Sequence, residues 1–306
     1  MGLHGGPSHL FRLFRLHLSK VPISRIPSLS TPLAHDKIPG VEAFVNRLKL
    51  FYTDAGKTTA PAVVFIHGFP FDHTMWQEQV AILEDTFRVI TYDQRGHGQS
   101  PTGDGQYIFE QFVDDLIGLL DILGIQQAIL CGLSMGGYVA LRAMEREPSR
   151  FRGLVLCDTR SEADSNEGKL KRAASIRTIT EKGTVTFVDG FLKSIFTPES
   201  FTAKPQAVAQ IRQVMLSNTA KGICGTQIAL ATRTDTTALL ANIKVPTLIL
   251  VGKEDPITPP EAARSMHERI QGSILVEIPG ASHLSNIENP ALFNESLKRF
   301  LNTLNP

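Results

Sequence analysis

The chain has 306 residues, 42% of them hydrophobic and 20% charged, a balance typical of globular proteins that argues against disorder. A formal net charge of +1 gives no electrostatic basis for binding nucleic acid. No apolar run approaches the roughly 20 residues that a membrane-spanning helix needs. Three cysteines, Cys131, Cys157 and Cys224, argue against a disulfide framework and lack zinc or redox spacing. Cys131 and Cys157 fall in apolar runs and read as small core residues.

Residues 1–40 differ from the rest. No acidic residue precedes Asp36, while Arg12, Arg15, Lys20 and Arg25 are basic. Phe11, Phe14 and Leu18 recur at helical spacing before Pro22, Pro27 and Pro32 interrupt the pattern. A mitochondrial transit peptide has this composition, and so does a disordered extension or a stretch upstream of the start codon in use. Arginines inside the apolar part exclude a secretory signal. The expectation is a soluble cytoplasmic protein, or a mitochondrial one if residues 1–40 act in targeting.

From Ala43 the pattern becomes strand-like. Phe44–Asn46 and Leu48–Tyr52 predict a hairpin ending near Asp54-Ala55-Gly56. The short apolar runs at 62–66, 87–92, 128–131, 153–158, 246–251 and 273–278 read as buried strands. Amphipathic helices are predicted at about 73–83, 109–123, 260–270 and 291–301. This alternation implies a mostly parallel sheet covered on both faces, with the C-terminal strand ends along one edge where ligands bind. Residues 161–243 lack the alternation and read as a helical cap inserted after the sixth strand. The core is then 41–160 with 244–306. Most apolar cap residues pack the cap itself, and Phe191 and Met215 are the candidates for the substrate pocket. Trp76, the only tryptophan, reads as either core or pocket wall and is a third candidate.

Gly132-Leu133-Ser134-Met135-Gly136 interrupts an apolar run and leads into a helical pattern. G-x-S-x-G between strand and helix is the setting of a nucleophile elbow. A serine hydroxyl needs a base to take its proton, and that base needs an acceptor to orient it. After Ser134, Asp255 follows one strand and His283 follows the last, so both emerge at the same sheet edge. Asp255 is favoured over Glu254 and Asp158, and His283 over His67, His97 and His267. His67 and His97, flanked by glycine, read as loop architecture. The oxyanion donors are predicted to be the backbone N–H groups of Met135 and Phe69. Asp93 and Arg95 read as a buried pair bracing the Gly96-His97-Gly98 loop.

Five segments together carry a resemblance. His67-Gly68-Phe69-Pro70, Asp93-Gln94-Arg95-Gly96-His97-Gly98-Gln99-Ser100, Gly132–Gly137, Gly252-Lys253-Glu254-Asp255 and Pro279-Gly280-Ala281-Ser282-His283 stand in the order found in the α/β-hydrolase superfamily, which residues 43–303 resemble. Within it the chain is most similar to 3-oxoadipate enol-lactonases, esterases and cofactor-free haloperoxidases. Epoxide hydrolases and haloalkane dehalogenases share the His-Gly-Phe-Pro segment but place aspartate at the nucleophile position, so Ser134 excludes them. Ser282 departs from the pattern, which more often has glycine there. The resemblance implies a serine hydrolase acting on a small ester or lactone, with Ser134, His283 and Asp255 as triad and neither metal nor organic cofactor. It leaves two alternatives: C–C bond hydrolysis by the same residues, and a slow-turnover ligand receptor.

Overall fold

Aliphatic and β-branched runs too short for helices build one eight-stranded sheet. The computed structural model describes residues 40–304, and the readings placed on the first 39 residues lie outside them. The strands are β1 (Val41–Val45), β2 (Leu48–Ala55), β3 (Ala62–Ile66), β4 (Arg88–Tyr92), β5 (Ala128–Leu133), β6 (Phe151–Cys157), β7 (Thr247–Gly252) and β8 (Ile274–Ile278). Their order is β1-β2-β4-β3-β5-β6-β7-β8. β1 and β2 form the antiparallel hairpin, and β2 also runs antiparallel to β4. All other pairs are parallel. Asn46 and Arg47 make the hairpin turn at φ 46° and 68°, the left-handed pair that suits the twist of a two-residue hairpin.

Every residue of β3, β4, β5 and β7 is buried. Successive side chains point to opposite faces, so the sheet must be covered on both. The helices of the core are α1 (Gln77–Leu83), α2 (Phe109–Ile122) and α3 (Met135–Arg146). Between β6 and β7 the chain forms α4 (Asn166–Lys182), α5 (Thr184–Ile195), α6 (Ser200–Ala203), α7 (Pro205–Ser217) and α8 (Ala220–Ala231), the helical cap. After β7 come α9 (Pro260–Arg269), then α10 (Ser285–Glu288) and α11 (Pro290–Thr303). The architecture is an α/β-hydrolase fold.

One local difference from the sequence expectation, and one choice it left open, have physical causes. The helix expected from His73 opens as a 3-10 turn over His73–Trp76. Asp72 caps that turn by accepting from Thr74 N at 2.9 Å, and α1 begins only at Gln77. Trp76, read as either core or pocket wall, is fully buried against Phe65 of β3 and Phe293 of α11, with ring centroids 4.9 and 6.4 Å away. The helical turn directs the indole towards the layer where α1 meets α11, into the core.

Candidate active site

Ser134 is the turning point between β5 and α3. Its φ of 53° and ψ of −114° put a non-glycine residue in left-handed backbone, at a cost of about 1–3 kcal/mol. Two hydrogen bonds hold the turn: Ser134 N donates to Cys157 O at 2.9 Å, and Thr159 Oγ1 donates to Ser134 O at 2.8 Å. Glycine is required on either side because the elbow presses on the sheet. A Cβ on Gly132 would lie 2.3 Å from Gly136 O, and one on Gly136 would lie 2.1 Å from Ile66 O. Among the described residues the Ser134 hydroxyl has no hydrogen-bond partner, and the residue is 8% exposed. It stands at the N-terminal end of α3, where free N–H groups favour negative charge.

Asp255 and His283, 28 residues apart, meet through His283 Nδ1 and Asp255 Oδ2 at 2.8 Å. The other bonds to this carboxylate come from Ile257 N (2.8 Å), Thr258 N (3.1 Å) and Thr258 Oγ1 (2.6 Å). With only acceptors facing it on Asp255, Nδ1 carries the proton and Nε2 is left as the basic nitrogen. Burial disfavours charge on Asp255, but the charge and hydrogen bond of His283 and the bonds from Thr258 outweigh it and hold the carboxyl below its ordinary range. Burial likewise pulls His283 down, yet Asp255 and, more weakly, Asp158 raise it above 6.5 against the opposing charge of Arg160.

The loop that carries His283 starts at β8, at the far side of the sheet from β1. It folds back over the end of β7. A Cβ on Gly252 would lie 2.0 Å from Ser282 O, and Glu254 N donates to Ala281 O at 3.0 Å. Glu254, the rival acid beside Asp255, accepts from Ala281 N at 3.0 Å and serves that loop. Asp158, the other rival, accepts from Gly252 N (2.8 Å) and Ser285 Oγ (2.5 Å). It therefore carries the loop across to the end of β6, one strand from Ser134. Burial, then the charge of Asp255, push its carboxyl up to about 8.

The expected oxyanion donors lie in the loop after β3 and at the start of α3. Neither Phe69 N nor Met135 N donates to any group among the described residues. The close approach of Gly136 to Ile66 O and of Gly68 to Leu133 O, at 2.1 and 3.3 Å for an added Cβ, brings the start of α3 against the loop after β3. The Phe69 ring lies 6.2 Å from both Phe187 and Phe191 of α5, which stack at 5.7 Å. Phe191 therefore sits beside the loop after β3, whereas Met215 of α7 is fully buried.

The remaining candidates serve the architecture. His67 is fully buried; its Nε2 accepts from Gln94 N at 2.9 Å and its Nδ1 donates to Gly68 O at 2.8 Å. His97 donates to Arg95 O at 3.1 Å, and burial and the neighbouring His67 lower it to about 3. His267 is exposed on α9 and bonds Ser273 Oγ at 2.8 Å. Asp93 and Arg95 are both buried but do not pair with each other. Arg95 grips Asp115 of α2 through two 2.7 Å bonds, and Asp93 takes His73 N, His73 Nδ1 and Gln99 N. Asp72, His73 and Asp93 cluster with potential ligand atoms within 4.8 Å of one another. Their oxygens are engaged with Thr74, His73 and Gln99, which makes the group a loop brace.

Two buried residues that bear on the site escaped sequence reasoning. Glu288 of α10 takes four bonds, from Thr197 N, Thr197 Oγ1, Ser200 Oγ and Ser282 N, tying the cap to the residue before His283. Asn218, after α7, bonds two core loops. Neither has a local signal, because their partners are distant in the chain.

The model of the family described as the alpha/beta hydrolase fold matches residues 61–290. The chain belongs to this family. It is 32% identical over 256 residues to 3-oxoadipate enol-lactonase 2 of Acinetobacter baylyi, covering 84% of this chain and 94% of that protein. Among solved structures it is similar to a thermophilic esterase from Thermogutta terrifontis, with a TM-score of 0.83, 35% identity and coverage of 88% and 100% of the two chains. The enol-lactonase from Burkholderia xenovorans LB400 gives a TM-score of 0.80 at 34% identity, covering 86% and 100%. The two solved structures share the overall fold. Among the described residues no helix is long and apolar enough to cross a membrane.

Proposed function

We propose that this α/β-hydrolase is a serine hydrolase that cleaves a small carboxylic ester or lactone through an acyl-enzyme. The observation that carries the reading is the buried Asp255–His283 pair held at the same sheet edge as the strained Ser134 elbow. Similarity to enol-lactonases and esterases supports the bond type.

In this reading Nε2 of His283 takes the Ser134 proton as Oγ attacks the carbonyl carbon, and Asp255 stabilises the imidazolium that forms. The carbonyl oxygen, now negative, is met by the N–H groups of Phe69 and Met135, each worth about 100- to 1,000-fold in rate. His283 returns the proton to the leaving alcohol, or to the ring oxygen of a lactone. Water activated by the same nitrogen then releases the acid and restores Ser134. The protein's own side chains supply every proton transfer. Phe187 and Phe191 beside Phe69 suit a small apolar acyl or ring portion.

The test is hydrolysis of p-nitrophenyl acetate and butyrate, followed before and during steady state. A burst and continuing turnover are expected, with Ser134→Ala slower by about 10⁴-fold or more. A burst without turnover points to a ligand receptor instead. Equal rates in both proteins would mean that Ser134 is not the nucleophile.

A further inference from the structure

The proposed oxyanion donor at Phe69 lies on a loop that needs support from outside the core. Asn218 is 6% exposed, at the junction of α7 and α8. Its Nδ2 donates to Pro70 O at 2.8 Å, 148 residues away in the chain, and to Val214 O of α7 at 3.2 Å. Its Oδ1 accepts from Gly98 N at 2.8 Å, 120 residues away. One amide therefore joins the cap, the loop after β3 and the loop after β4.

The cap is seated firmly at this point. A Cβ on Gly222 would lie 2.3 Å from Gly96 O, and one on Gly225 would lie 2.3 Å from Gly105 O. The first turns of α8 thus rest directly on the backbone of the loop after β4, and Thr219 Oγ1 meets Thr102 Oγ1 at 3.0 Å. On its other side the Phe69 ring lies beside the Phe187 and Phe191 rings of α5 at 6.2 Å and the His97 ring at 6.1 Å. Ring contacts tolerate sliding, whereas the amide bond to Pro70 O is directional and short. Pro70 follows Phe69 directly, so its carbonyl and the Phe69 N–H lie on the same short turn, closed by Phe71 N donating to Gly68 O at 2.9 Å.

We propose that Asn218 is a positioning residue that acts from the cap through Pro70 to aim the Phe69 N–H at the developing oxyanion. The inference rests on the hydrolase reading above and deepens it. Displacing a donor matters most when charge has built up on the carbonyl oxygen, so the loss falls on the transition state and spares substrate binding.

The experiment compares wild type, Asn218→Ala and Asn218→Asp with p-nitrophenyl butyrate, and measures inhibition by phenylboronic acid, which forms a tetrahedral adduct on a serine. Asn218→Ala is expected to lower kcat about tenfold with KM changed by less than about twofold, and to weaken phenylboronic acid by a similar factor. Asn218→Asp keeps an acceptor for Gly98 N but turns an oxygen towards Pro70 O, and its loss is expected to be at least as large. A folded Asn218→Ala with wild-type kcat and boronate affinity overturns the proposal, as does a rise in KM alone. If the alanine variant does not fold, wild-type kcat in the aspartate variant overturns it equally. A wild type that neither turns over nor is labelled at Ser134 by a fluorophosphonate sinks the hydrolase reading itself. Wild-type turnover with labelling, beside an unaffected Asn218→Ala, sinks only the role of Asn218.

Discussion

The strand edge and the cap solve opposite problems. At the edge, Asp255, His283, Asp158 and Glu288 are all buried polar groups, and each is bonded to donors or acceptors from distant parts of the chain. In the cap, α4 buries only Ile179, while Leu170, Val185 and Ile228 remain 70%, 53% and 49% exposed. A buried polar group without its partner costs far more than a lost surface contact. The edge is therefore intolerant of change and keeps its polar groups in one geometry, whereas much of the cap surface is free to vary. Asn218 is the exception, a residue between α7 and α8 bonded to the core as tightly as the groups at the edge.

The sharpest way to break this contrast is at the acid. Asp255→Asn removes the negative charge that orients and stabilises protonated His283, and kcat/KM on p-nitrophenyl butyrate is expected to fall about 10³- to 10⁴-fold. Retention of more than a tenth of the wild-type value would move the acid's role to Asp158 or Glu254.

Next comes the elbow. Gly136→Ala forces a Cβ to within 2.1 Å of Ile66 O, a backbone atom, so several kcal/mol of stability should be lost. Urea denaturation measures it, and a midpoint unchanged from wild type would show that the elbow can open.

The pH profile gives a smaller, graded effect. His283 must be neutral to act as base, and Asp255 raises it above 6.5. The acid limb of kcat/KM should therefore inflect above pH 6.5, with activity falling about tenfold per pH unit well below the inflection. In Asp255→Asn the inflection should move down. The same linkage stabilises the fold fully below the unfolded histidine pKa, and that contribution fades as pH rises through the raised folded value. An inflection below 6.5 in the wild type would contradict the pairing.

The smallest change tests the cap surface. Leu170→Ser, on the exposed face of α4, should alter stability by no more than about 0.5 kcal/mol, read from urea midpoints. A loss several times larger would indicate that this face is covered in solution.

The sequence alone was sufficient for features governed by short-range physics. Apolar runs with alternating faces announce strands, and Gly132 and Gly136 around Ser134 announce a turn that no larger residue can make. The meeting of Asp255 with His283 was legible because each follows a strand whose parallel partner ends at the same edge. Pairings that depend on side-chain reach were not legible. Arg95 was matched with Asp93, its near neighbour in the chain, but the fold turns it to Asp115 on α2. Trp76 offered no clue to which side its indole would face until a 3-10 turn aimed it at Phe65 and Phe293. Asn218 and Glu288 carry no local sequence signal. Only packing the cap onto the sheet brought to them donors and acceptors more than 85 residues away, because a hydrogen bond depends on distance in space and leaves no periodic trace along the chain.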